Sequence, residues 1–342
     1  MKKEVINIIA PNIKTGGGEE LLRYLLSYLE NNYPNIKIVV YVDQSLLNIS
    51  PTKNRSVIAL SGKIKKIWLF CRKFDNAIYF GNLPPLRKSN NSVVYLHNLY
   101  LVLKIRDLTQ SPIKYIVKYG LQQIYITFFK SNVDFFACQS MSVKNAFRSK
   151  YHNSKIELLP FYALCPKRDE HVENEFDLCY VSLSYQHKNH ELLFEALKIL
   201  EKSRISCSLA LTVHKSDKRL ESLIKNANKL HGISVVNLGI IPKPEVCLLY
   251  KKSKCLIFPS TKETFGLALV EAASLGMDII AADMSYVHDV IQTPFLFDPS
   301  SASSCADAIK RYLVKPNPEK PKVLVQNKVD LLVRRFIRRK NV

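Results

Sequence analysis

Two successive runs of short apolar segments alternating with amphipathic stretches, with fifteen aperiodic residues between them, constrain this chain's fold most. In the first run, strands are predicted at Val5 to Ala10, Ile36 to Val42, Val57 to Leu60, Ala77 to Phe80, Val93 to Leu96 and Val133 to Cys138. Helices are predicted from Gly18 to Asn31, Ile113 to Lys130 and Ser142 to Lys150. Residues 161–175 carry a charge run and no period, which marks a domain boundary. Beyond it, strands at Asp177 to Ser182, Cys207 to Val213, Ser234 to Leu238, Cys255 to Phe258 and Asp278 to Ala282 alternate with four helices. Those helices are read at His190 to Lys202, Ser216 to Leu230, Lys243 to Lys251 and Phe265 to Leu275. Such alternation predicts an α/β chain of two open, mostly parallel sheets with helices on both faces, ligands lying beyond the strands' carboxyl ends. The divisions are 1–162, 163–322 and a basic terminal helix at 323–342, crossing back to the first domain after the Pro-rich spacer Lys315-Pro316-Asn317-Pro318.

The 342 residues suit two domains, and 47% apolar with 23% charged content excludes disordered and collagen-like chains. No apolar run is long enough to span a bilayer, and Met1-Lys2-Lys3-Glu4 does not open a secretory leader. A cytoplasmic location is the expectation. Residues 1–160 hold 23 basic against 9 acidic side chains, a net of +14, and the remainder 27 against 20, a net of +7. So cationic a first half implies an anionic partner: nucleic acid, a phosphorylated substrate or a membrane face. Eight cysteines without C-x-x-C spacing, several inside apolar runs, read as buried reduced thiols rather than zinc or disulfide frameworks.

The chemistry concentrates in Phe258-Pro259-Ser260-Thr261-Lys262-Glu263-Thr264-Phe265-Gly266-Leu267-Ala268-Leu269-Val270-Glu271. A strand runs here into a helix whose first amides favour anions, and Gly266 admits close backbone approach. Glu271 is set among apolar neighbours, where a carboxylate needs a partner: either a ligand diol such as ribose, or a nearby lysine.

This segment resembles the E-x7-E signature of the retaining glycosyltransferases of family 4 (glycosyltransferase group 1). Further stretches agree in order along nearly the whole chain: Gly16-Gly17-Gly18-Glu19 after the first strand, Tyr95-Leu96-His97-Asn98, Tyr185-Gln186-His187-Lys188-Asn189-His190, and Leu238-Gly239 with Glu245 and Tyr250. The resemblance implies the GT-B fold, two Rossmann-like domains facing a cleft, and a nucleotide-sugar donor as substrate with no cofactor. It places Glu271 on the ribose, Glu263 on donor-sugar hydroxyls beside the amides of Phe265, Gly266 and Leu267, and Lys188 on the diphosphate. Gly16 and Gly17 would add amides to the diphosphate, and His97 would face the sugar, although a strand-end histidine is as readily a hydrogen-bonded structural residue. His97, Lys188 and Glu263 are thus the catalytic candidates, and no protein nucleophile is assigned. Without an Asp-x-Asp pair, metal-independent hexosyl transfer is expected. The chain departs from the pattern at Ser182, where many relatives carry an Arg; His187 and Lys215 are the candidates to replace it.

Basic and aromatic residues interleave at Lys63, Lys65, Lys66, Trp68, Arg72 and Lys73, and again along Lys114 to Lys130, with a tail at Arg334 to Lys340. They suit a lipid headgroup surface, a nucleic-acid surface or plain packing. The favoured expectation is a lipid-linked or polysaccharide acceptor in envelope polysaccharide synthesis (O-antigen, capsule or lipopolysaccharide). Peripheral contact with the anionic inner face of the cell membrane goes with it, and no nucleic acid is expected. The alternatives are a nucleotide-sugar epimerase of the same architecture and a non-catalytic basic nucleic-acid-binding protein.

Overall fold

Val, Ile and aromatic residues dominate the strands because parallel strands are covered on both faces and read as nearly unbroken apolar runs. A computed structural model describes residues 5–46, 49–104, 113–166, 172–315 and 319–337. The chain divides into two units, Met1–Ala163 with Gln326–Val342, and Leu164–Val325. Met1 to Glu4, residues 167–171 of the boundary segment and the tail Arg338-Arg339-Lys340 lie outside the described residues.

In the first unit, seven parallel strands are ordered β3-β2-β1-β4-β5-β6-β7. They are β1 Val5–Ala10, β2 Lys37–Asp43, β3 Arg55–Leu60, β4 Ala77–Tyr79, β5 Ser92–Tyr95, β6 Phe135–Cys138 and β7 Ile156–Leu158. The helices are α1 Gly17–Asn32, α2 Gly62–Cys71, α3 Ile113–Phe129 and α4 Met141–Lys150. Helix α1 buries Leu21, Leu22, Leu25, Leu26 and Leu29 at helical spacing, each contributing about 1.5–3 kcal/mol. Leu69 of α2, Ile126 of α3 and Phe147 of α4 share one core cluster with Ile9, Tyr79, Val94 and Phe136, so these three helices cover the same sheet face. The order reverses at β1, and the loop after it ends at Gly16, whose φ of 77° favours glycine.

The second unit orders six strands β10-β9-β8-β11-β12-β14, again parallel. They are β8 Phe176–Tyr180, β9 Cys207–Leu211, β10 Ile233–Asn237, β11 Ser253–Phe258, β12 Asp278–Ala282 and β14 Phe295–Phe297. A small antiparallel pair joins β13 Ile291–Gln292 to β15 Lys322–Val323. Helices α5 His190–Lys202, α6 Lys218–Ala227, α7 Lys243–Lys251, α8 Leu267–Ser274, α9 Ser285–Val290 and α10 Ala302–Val314 complete it. The order reverses here at β8, beside β11.

Two expectations need correction. The helix read at 323–342 is confined, among the described residues, to α11 Val329–Val333. Val323 extends a strand instead, its segment pairing with Ile291 and Gln292. Helix α11 buries Val329, Leu332 and Val333, and Asp330 accepts hydrogen bonds from Tyr28 and Tyr33 within the first unit. The second correction concerns cysteine: Cys165 and Cys247 form a disulfide within the second unit, while the other six stay free. Their separation of 82 residues leaves no local spacing signal, and the pair joins the start of the unit to α7. Closing a loop of that length limits the unfolded chain. Reduction is expected to lower stability by about 2–4 kcal/mol, read as a shift in urea midpoint with and without a phosphine reductant. An unchanged midpoint would deny the crosslink a structural role.

Candidate functional site

The carboxyl ends of β8 and β11 bring two of the candidate residues together. Beyond β8 the chain turns through Gln186–Lys188 into α5, and the Tyr180 hydroxyl donates to the Lys188 carbonyl at 2.8 Å. Beyond β11, the Thr261 amide donates to the His187 carbonyl at 2.8 Å, so the two loops are stitched side by side. This stitching places the Lys188 ammonium on Glu263 Oε1 in an ion pair, and Ser260 Oγ donates to the same oxygen at 2.7 Å. Tyr286, from α9, donates to the Ser260 carbonyl at 2.6 Å and fixes the loop from behind. Gly266 then caps α8 with φ 82°, and a side chain there would meet Leu269 Cδ1 at 2.9 Å and Tyr286 Cε2 at 3.6 Å. Phe265 is buried, while Gly266 and Leu267 lead into the helix's first turn, where the Leu269 amide donates to the Gly266 carbonyl at 3.0 Å.

Glu271 lies one turn further along α8 and is 6% exposed. Both its oxygens are engaged: Lys243 of α7 pairs with Oε1, and Tyr250 of the same helix donates to Oε2 at 3.1 Å. Burial first, then the Glu271 carboxylate, push the Tyr250 phenol well above its ordinary value, so it stays a donor. The lysine-paired alternative therefore holds in the resting chain. Each oxygen retains a lone pair for a ligand hydroxyl. Lys243 went unread in the sequence; its place opposite a buried glutamate, 28 residues away, has no local signature.

Ser182 does not act as a cation surrogate. Its amide donates to Thr212 Oγ1 at 3.1 Å and its hydroxyl pairs with His190 Nε2 at 3.0 Å. Of the residues proposed to replace the missing arginine, His187 is pushed down to about 4 by burial, against the pull of Glu263, and is neutral near pH 7. Lys215 lays its stem over Gly239, where a Cβ would stand 2.9 Å from Cε.

In the first unit, His97 follows β5 and lies against the start of α1: a Cβ on Gly18 would sit 3.6 Å from its Cδ2 and Nε2. Gly16 and Gly17 form the preceding turn of that helix start. Asn82 Oδ1 accepts from the His97 amide at 2.7 Å, which turns its Nδ2 toward His97 Nε2 at 3.0 Å. With Nε2 accepting, the proton belongs on Nδ1. Burial pushes the ring down to about 4, so it is neutral at physiological pH. Asn82, held at φ 67° beyond β4, was not singled out from the sequence.

Three imidazoles thus stay neutral: His97 and His187 at about 4, and His190 at about 3, the last by burial and then Arg219. Unfolded, each would protonate near the ordinary histidine value of about 6.5. Their folded values lie below it, so their contribution to stability is complete above that pH and is lost as the pH falls toward 4. The urea midpoint is expected to drop between pH 7 and pH 5, where most carboxylates are still ionised. A flat profile would mean that these rings protonate freely in the folded chain.

Residues 166–329 match the family model described as glycosyl transferases group 1. The O-antigen chain mannosyltransferase RfbU of Salmonella typhimurium is 25% identical over 289 residues, covering 80% of this chain and 75% of that protein. A sulfoquinovosyl transferase of Arabidopsis thaliana is 30% identical over 88 residues, 24% of this chain, which spans only 17% of that relative's length. Among solved structures, sucrose-phosphate synthase from Thermosynechococcus elongatus superposes with TM-score 0.72 at 16% identity, over 92% of this chain and 90% of that one. The Anabaena protein Alr3699/HepE, solved with UDP-glucose, gives 0.62 at 13% identity, over 91% and 90%. At these identities the two structures establish the shared fold, the GT-B pair of Rossmann-like domains.

Proposed function

We propose that this chain, whose residues 166–329 match the model of glycosyl transferases group 1, transfers a hexose from a nucleotide-sugar to a lipid-linked or polysaccharide acceptor, with retention and without a metal ion. The acceptor belongs to envelope polysaccharide synthesis, in keeping with the O-antigen mannosyltransferase relative, and the enzyme works at the inner face of the cell membrane. The observation that carries this reading is the Lys188–Glu263 pair at the carboxyl ends of β8 and β11, with Glu271 eight residues on.

Lys188 is the mobile charge. Paired with Glu263 in the resting chain, it turns to the donor's diphosphate, whose several negative charges outcompete one carboxylate. As the sugar C1–O bond breaks, the leaving diphosphate gains charge and Lys188 stabilises that gain. Glu263, released from Lys188, accepts from donor-sugar hydroxyls, while Glu271 takes the ribose diol. The acceptor oxygen bonds to C1 on the face the diphosphate leaves, and its proton passes to a phosphate oxygen, so no protein nucleophile is required.

Proton NMR of the anomeric signal in the first product tests this. The expected outcome is the donor's own anomeric configuration, formed equally fast with EDTA present. An inverted product, or activity abolished by EDTA and restored by Mn²⁺, would refute the mechanism.

A further inference from the structure

Helix α3 is amphipathic in the wrong sense for a helix that faces water. Its inner face contributes Ile126 to the core and Gln123, whose amide donates to the carbonyls of Tyr100 at 2.8 Å and Leu103 at 3.1 Å. Its outer face carries Ile113, Val117, Leu121, Ile124 and Phe128, which recur every three or four residues and are 55–79% exposed. Helix α2, on the same sheet face, adds Ile64, Ile67 and Trp68, also exposed. Eight large apolar side chains on two helices of one face exceed the scattered apolar residues of an ordinary surface.

Charge identifies the occupant. Residues 44–133, which contain both helices, hold 14 Lys and Arg but only Asp75 and Asp107, a net of +12. Lys114 and Lys118 rest over the rings of Tyr115 and Tyr119 at 5.2 and 5.3 Å, and Arg72 over Trp68 at 4.6 Å. Cationic heads over aromatic bodies beside an aliphatic stripe match the boundary between anionic headgroups and acyl chains. A second copy of the chain would bring like charge against like. Single-stranded nucleic acid is held by aromatic platforms, and Ile, Val and Leu offer no face on which bases stack.

We propose that the outer faces of α2 and α3 form a membrane-docking surface, the α3 stripe entering the acyl boundary of an anionic bilayer and the flanking lysines and arginine engaging its headgroups. For its purpose this rests on the lipid-linked acceptor reading; the binding itself is measured without any transfer. Flotation of the full chain with phosphatidylcholine vesicles, with and without phosphatidylglycerol, is the test. Binding is expected only with the anionic lipid. Leu121→Gln with Phe128→Gln should weaken it about tenfold or more, and Lys114→Gln with Lys118→Gln should weaken it and flatten its salt dependence. All four positions are exposed, and an unchanged circular-dichroism spectrum and urea unfolding midpoint in these variants would certify the fold. Undiminished vesicle binding by the Leu121/Phe128 variant would overturn the proposal, as would a wild-type dimer that the same variant splits, or RNA binding without vesicle binding. Vesicle binding with no transfer to any lipid would uphold the surface and remove the lipid acceptor.

Discussion

Replacing Lys188 with Ala is expected to lower kcat roughly 10²–10³-fold while changing KM only a few-fold, because the lost charge acts mainly as the diphosphate departs. The pairing with Glu263 adds a second, sharper expectation. In Lys188→Ala the Glu263 carboxylate loses its cation and lies unneutralised near an anionic donor, so part of the loss is repulsion. Adding Glu263→Gln removes that repulsion, and the double variant should recover about tenfold in kcat over Lys188→Ala alone. Contacting residues of this kind depart from additivity. Steady-state kinetics on the four proteins of the cycle decide the matter. Strictly multiplicative losses would separate the two residues functionally, and an unaffected kcat would make Lys188 a structural ion-pair partner only.

Glu271→Ala should act on binding instead. It removes the acceptor for a ribose diol, and the usual scale for such a loss, about 1–3 kcal/mol, corresponds to a roughly 5- to 150-fold weaker nucleoside diphosphate. Because it also strands the Tyr250 hydroxyl and Lys243, Glu271→Ala destabilises the second unit, and affinity must be measured well below its melting range. Glu271→Gln separates the two effects: its amide oxygen still accepts from Tyr250, so stability should hold better while the charge-assisted bonds to the diol weaken. Calorimetric affinities equal to wild type for both variants would remove the ribose from Glu271.

The sheets were legible because a period of two or an unbroken apolar run persists over four to seven residues, as in Val5–Ala10 and Asp278–Ala282. Helix α1 was legible for the complementary reason, a leucine stripe at helical spacing. Helix α2 went unread as a helix because Ile64, Ile67 and Trp68 face outward and blur the polar-apolar contrast that periodicity relies on. The short elements α9 and β14 were missed for want of length, and α10, Ala302–Val314, fell in the unread stretch between the strand at Asp278 to Ala282 and the Pro-rich spacer. At the site, Lys188, Glu263 and Glu271 stood out through the resemblance of their local segments to the family pattern. Lys243, Asn82 and the Cys165–Cys247 bond did not, because each depends on a partner brought near only by folding.

The central claim is that the second unit holds a nucleotide-sugar through Lys188, Glu263 and Glu271 and surrenders its sugar. Phosphorus NMR of the full chain, incubated with a panel of nucleotide-sugars, bacterial membrane lipid extract and EDTA, tests it most directly. The account predicts release of one nucleoside diphosphate, dependent on the lipid extract and suppressed in Lys188→Ala. Release of no nucleoside diphosphate from any donor, or equal release by wild type and Lys188→Ala, would contradict it.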